Sequence, residues 1–179
     1  MLKPTTTGLI LVDVQGKLAR LVDNSETVIS NIQKLVQGCQ ALNLPILWLE
    51  QYPGKLGSTV AEIGNLIKPQ PAIAKYTFNA CQEPSFVKAV QVANVDTWLV
   101  CGIEAHICVY QTVMGLQDLG QKVHLVTDCI SSRKPENKHL AIAKLTAQGI
   151  DITSLEMCLY ELVEDCRSAE FKTILQLIK

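Results

Sequence analysis

The sequence predicts a three-layer α/β sandwich around a six-stranded parallel sheet, as one domain spanning residues 1–179. Short aliphatic runs recur along the chain, each too short for a helix and bounded by turn residues. Segments with apolar residues at helical spacing separate them. No repeat, linker or low-complexity tract interrupts the alternation, which is the pattern of a sheet covered by helices on both faces.

Gly8–Asp13 (GLILVD) reads as the first strand. Asn24 and Ser25 offer a cap for the next helix, whose stripe is Val28, Ile29, Ile32, Leu35, Val36 and Cys39. Pro45–Glu50 (PILWLE) is the second strand, followed by a loop over Gln51–Ser58 and a short helix near Thr59–Ile67. Ala72–Lys75 is a weak third strand. A helix over Pro84–Ala93 leads into Asp96–Gly102 (DTWLVCG), the fourth. The next helix covers about Ile107–Leu119 and ends at Gly120. Lys122–Asp128 is the fifth strand, and Pro135 opens a helix that stops at Gly149. Ile150–Thr153 is the sixth strand. Two short helical segments close the chain, the last with Phe171, Ile174, Leu175 and Ile178 on one side. Right-handed crossovers in two mononucleotide-type halves give a Rossmann-like strand order, 3-2-1-4-5-6.

Hydrophobic residues make up 48% of the chain and charged residues 18%, against roughly 25% charged in an average globular protein. A large core and a surface covered by another subunit both account for that shortage. With the apolar last helix, it favours a homo-oligomer. A net charge of −1 gives no electrostatic reason to expect nucleic acid or an acidic membrane. No apolar run reaches the roughly 18 residues that span a bilayer, and the first residues lack a signal-peptide layout. The seven cysteines include no C-x-x-C pair and read as reduced thiols of a cytoplasmic protein.

In the predicted order, strands 1 and 4 meet at the switch point, where ligands bind beyond the carboxyl ends of the strands. Asp13 ends strand 1, Lys75 ends strand 3, and Gly102–Cys108 (GIEAHIC) leaves strand 4 for a helix. This convergence suits acyl transfer. A helix N-terminus and an ammonium both favour the thiolate, which is the nucleophile. A carboxylate can take the thiol proton and return it to a leaving amine. Backbone N–H groups at a helix start can hold an oxyanion. Each residue alone also has an ordinary reading as a packed thiol, a loop carboxylate or an edge charge.

Leu11–Gln15 (LVDVQ), Ala74–Cys81 (AKYTFNAC) and Cys101–Thr112 (CGIEAHICVYQT) resemble, in order and spacing, the signature segments of the isochorismatase-like cysteine hydrolases. With Glu50–Gly57 (EQYPGKLG), the resemblance is closest to the small isochorismatase domain-containing hydrolases. It implies a catalytic triad of Asp13, Lys75 and Cys108. It also implies a cis peptide at Ile103-Glu104, with the backbone N–H groups of Glu104 and Cys108 as oxyanion donors. Many relatives carry Thr where Ala105 stands here, and Phe where Leu18 stands. Nicotinamidases of the family hold a metal through Asp and His after strand 2. Gln51–Ser58 contains neither, so no metal or other cofactor is expected and nicotinamide is disfavoured.

His106 lies near Cys108 in sequence, but two positions apart on a helix the side chains diverge by about 200°, so a packing or solvated role is expected. Glu104 serves by its backbone alone, or its carboxylate reads a cationic or amide group of the substrate. Gln15 is expected near the pocket, with Tyr52, Leu56 and Phe78 as its walls. No nucleotide-binding or nucleophile-elbow motif occurs. The leading expectation is a metal-independent hydrolase of a small amide or related acyl compound. A non-catalytic oligomeric module and a cysteine-based redox sensor are the alternatives.

Overall fold

The computed structural model describes residues 1–179. Its sheet comprises β1 (Thr7–Val12), β2 (Ile46–Gln51), β3 (Ile73–Lys75), β4 (Thr97–Ile103), β5 (Lys122–Ser131) and β6 (Asp151–Thr153). The order is β3-β2-β1-β4-β5-β6 and every pairing is parallel, as the sequence predicts. Central strands read as unbroken aliphatic runs because both faces are covered. Leu9, Leu11, Trp48, Leu99 and Cys101 enter one core layer, while Ile10, Val12, Leu49, Trp98 and Val100 enter the other.

The helices are α1 (Leu18–Leu21), α2 (Ser25–Ala41), α3 (Pro53–Leu56), α4 (Ala61–Ile67), α5 (Pro84–Ala93), α6 (Tyr110–Asp118), α7 (Pro135–Ala147), α8 (Leu155–Val163) and α9 (Phe171–Ile178). The predicted stripe of α2 is buried throughout. Burial of each such aliphatic side chain contributes about 1.5–3 kcal/mol, so this helix is a main anchor of its layer. The layer also holds α8 and α9, whereas α5, α6 and α7 supply the opposite one.

Three expectations are corrected. Asn24 does not cap α2: it adopts a left-handed conformation, and Ser25 Oγ donates instead to the Ala19 carbonyl at 2.6 Å. Helices α1 and α3 were not foreseen, being only four residues long each. The apolar side of α9 does not await a partner, since Ile174 is fully buried and Phe171 and Ile178 pack on the core. No helix is long and apolar enough to cross a membrane.

Candidate active site

Asp13 follows β1 directly and adopts φ +52°, a left-handed conformation that aspartate tolerates better than most residues. Its N–H donates to the Leu49 carbonyl at 3.2 Å, which fixes it between the ends of β1 and β2. Lys75, the last residue of β3, reaches under it. Lys75 Nζ donates to Asp13 Oδ2 at 2.7 Å, to Gln51 Oε1 at 2.7 Å and to the Thr77 carbonyl at 3.3 Å. Its three N–H groups are thereby used. Its effect on anything else at the site is that of a nearby charge.

Gln51 was not foreseen in this role. A polar residue at the end of β2, beside the β1 switch point, is the signal that would have marked it. Its Nε2 donates onward to the Tyr76 carbonyl at 2.8 Å. Gln15 lies deeper than expected and is completely buried. It spans Gln51 and Gly57, donating to both carbonyls at 3.1 and 2.6 Å and accepting the Gln51 N–H at 2.6 Å. Gln15 therefore fastens two loops and does not line the pocket.

Opposite Asp13, β4 ends at a cis peptide between Ile103 and Glu104. Just before it, Gly102 has φ +120°, and a Cβ there would strike the backbone of Val12. Only glycine lets β4 approach β1 this closely. A single π-helical turn over Ala105–Val109 then leads into α6 and carries Cys108. The expected regular helix from Ile107 thus begins with a wider turn, in which the Glu104 carbonyl accepts from both Ile107 and Val109 N–H.

Asp13, Gln51 and Cys108 share a cavity of about 100 Å³. Leu18, Leu56, Phe78, Ile103 and Ile107 make its walls largely apolar. Tyr52, expected among them, instead sits outside, stacked edge-on with Tyr76 at 5.2 Å. The second carboxylate oxygen of Asp13, Oδ1, is buried and has no hydrogen-bond partner. Burial raises the Asp13 carboxyl above its ordinary value, against the pull of Lys75 and of the Cys108 thiol. Burial likewise pushes the Cys108 thiol up to about 12, reinforced by the Asp13 charge and opposed by Lys75. Burial thus works against the thiolate that a helix start and a nearby ammonium favour, and makes the neighbouring carboxylate more basic.

The Glu104 side chain, left open by the sequence, is engaged by the chain itself. Its Oε1 accepts from Arg133 N–H at 3.0 Å and Arg133 Nε at 3.1 Å, tying the turn to the segment after β5. His106 turns away from the thiol, between Ser132 Oγ at 2.9 Å and Asn137 Nδ2 at 3.2 Å. Both ring nitrogens of His106 are thereby engaged by the segment after β5 and by α7. No three His, Cys, Asp or Glu side chains cluster as metal ligands do.

Residues 7–157 match the family model described as the isochorismatase domain. The chain is 34% identical to the secreted isochorismatase effector Isc1 of Phytophthora sojae, over 98% of its own length and 86% of the relative's. Among solved structures it resembles the MAR1 ribonuclease of Caenorhabditis elegans, with a TM-score of 0.93 and 30% identity, covering 99% and 91% of the two chains. It also resembles YcaC of Pseudomonas aeruginosa, solved with hexane-2,5-diol and covalent acrylamide. There the TM-score is 0.92 and the identity 25%, covering 98% and 90%. The chain belongs to the isochorismatase family and has its hydrolase fold.

Proposed function

We propose that this protein is a metal-independent cysteine hydrolase that cleaves a small amide or related acyl compound through a thioester. The observation that carries this reading is the free Asp13 Oδ1, beside Cys108 in one small apolar cavity. Asp13 takes the thiol proton as Sγ bonds to the acyl carbon, and the carbonyl π pair moves onto oxygen. The backbone N–H groups of Glu104 and Cys108 hold that oxyanion. The tetrahedral adduct collapses, the C–N bond breaks, and Asp13 returns the proton to the departing amine. Water, deprotonated by Asp13, then attacks the thioester, and its proton passes through Asp13 to restore the thiol. Lys75 keeps Asp13 ionised against burial.

Covalent acrylamide in the Pseudomonas relative supports a reactive nucleophile on this fold. The cavity volume and the net charge of −1 favour a small substrate over a polyanion. Screening small amides and esters with hydroxylamine present tests the proposal. Acyl hydroxamate formation that disappears in Cys108→Ser is expected. Hydrolysis unchanged by that substitution would overturn it.

Large apolar side chains stay exposed, Leu21 and Tyr76 each at 65% and Phe78 of the cavity wall at 54%. This exposed apolar surface supports self-association, with sedimentation at micromolar concentration as the test; a monomer there would count against it. All seven cysteines are free thiols, which supports a reducing, cytoplasmic location, although the Phytophthora relative is a secreted effector.

A further inference from the structure

A second cavity, of about 420 Å³, opens beside α4 and the β3 border of the sheet. Its volume falls within the roughly 300–1,000 Å³ usual for small-molecule sites. Trp48, Glu50 and Thr59 form its buried wall, and Ser58, Asn65 and Lys68 its exposed rim. On β2 these residues face away from the catalytic side, since Glu50 and Gln51 point to opposite faces of the sheet.

The polar groups of this wall are left incomplete. Glu50 is 9% exposed. Its Oε1 accepts the Thr59 N–H at 2.6 Å, and no protein cation pairs with the carboxylate. The Trp48 indole N–H and the Thr59 hydroxyl are buried and have no hydrogen-bond partner. A nearly buried carboxylate without a counter-ion is costly unless something completes it. Gly64 of α4 keeps the space open, its missing Cβ lying 3.7 Å from the Trp48 ring. At the mouth, the exposed Lys68 adds the opposite charge.

We propose that this cavity binds a small zwitterionic amine, with its ammonium on Glu50 and its carboxylate toward Lys68. The segment Gly57–Val60 borders this cavity and is tied to the residues that follow Asp13. Ser58 and Thr59 line it, while the Gly57 carbonyl accepts from Gln15 and the Val60 N–H donates to Val14. The site is nevertheless separate from Cys108 and does not depend on the proposed hydrolysis.

The two tryptophans give two indole N–H signals in heteronuclear NMR, and Trp48→Phe identifies the one at this site. Trp98 donates to Gln121 at 3.0 Å and serves as an internal reference. The full chain is titrated with glycine, β-alanine, γ-aminobutyrate and lysine, with butyrate as the control that lacks the amine. The proposal expects a saturable shift of the Trp48 signal with at least one amino acid, unchanged in Cys108→Ser. Binding should weaken about tenfold or more in Glu50→Gln, which loses a charge-assisted bond. Asn65→Phe obstructs the mouth from an exposed helix position and should abolish binding with the Trp98 signal unmoved. No saturable shift up to ~50 mM, an equal response to butyrate, or equal affinity in Asn65→Phe overturns the assignment.

Discussion

Lys75 Nζ and Asp13 Oδ2 lie 2.7 Å apart inside the protein, with side chains 0% and 2% exposed. Replacing Lys75 by Met leaves Asp13 buried without its cation. Breaking such a pair costs about 3–5 kcal/mol, measurable by urea denaturation. The sign of its pH dependence follows from the raised Asp13 carboxyl. In Lys75→Met that value rises further, so folding favours the protonated acid. The deficit is smallest at acid pH and grows as pH rises through the folded-state pKa.

Alkylation kinetics separate a resting thiol from a resting thiolate. With Cys108 pushed up to about 12, its iodoacetamide rate should climb steadily through the alkaline range, with no inflection near the ~8.5 of a free thiol. The exposed Cys166 should react first. In Asp13→Ala the carboxylate's repulsion is gone, and the Cys108 titration should move down. Site-resolved mass spectrometry reads all of these outcomes.

The proposed turnover requires Asp13 ionised and Cys108 protonated before attack. The acid limb of kcat/KM should therefore lie above the 3.8 of an ordinary aspartate, because the base is protonated at a higher pH than a free carboxylate. The plateau should extend past neutrality without an increase where free thiols ionise. Asp13→Asn should lower kcat/KM by about 10²–10⁴, with retained folding checked by circular dichroism.

Gly102→Ala places a methyl against the Val12 backbone at a φ that L-residues avoid. A loss of more than about 2 kcal/mol is expected. Thermal melting should show it, whereas Gly54→Ala, whose Cβ would come no nearer than 3.8 Å to the Tyr52 ring, should melt close to wild type.

The sheet order was legible because aliphatic runs such as Leu9–Val12 and Trp98–Cys101 are buried on both faces and cannot be mistaken for half-exposed strands. The meeting of Asp13, Lys75 and Cys108 was legible because the topology sends the ends of β1 and β3 and the segment after β4 to one rim, while their roles as a triad came from the family resemblance. The direction in which the thiol is shifted was not, since helix position and a nearby lysine argue one way and burial the other. Burial is a tertiary quantity that the residues near Cys108 do not encode. Gln15 and Tyr52 were misplaced for a related reason. Sequence shows that a residue lies on a loop near the rim, but not whether its side chain points into the crevice or ties loops together. The role of Glu104 depended on Arg133, 29 positions away.

The border position of β3 bears on how the protein should behave when warmed. β3 has only three residues and pairs with β2 alone, whereas β1 lies between two strands. Marginal strands open locally well before the whole domain unfolds. Amide hydrogen exchange should thus be fast at Ile73–Lys75 and slow at Leu9–Leu11. When the border frays, Asp13 loses its cation while the core stays intact. Heat should then silence the proposed activity reversibly, at temperatures where the far-ultraviolet spectrum is still native.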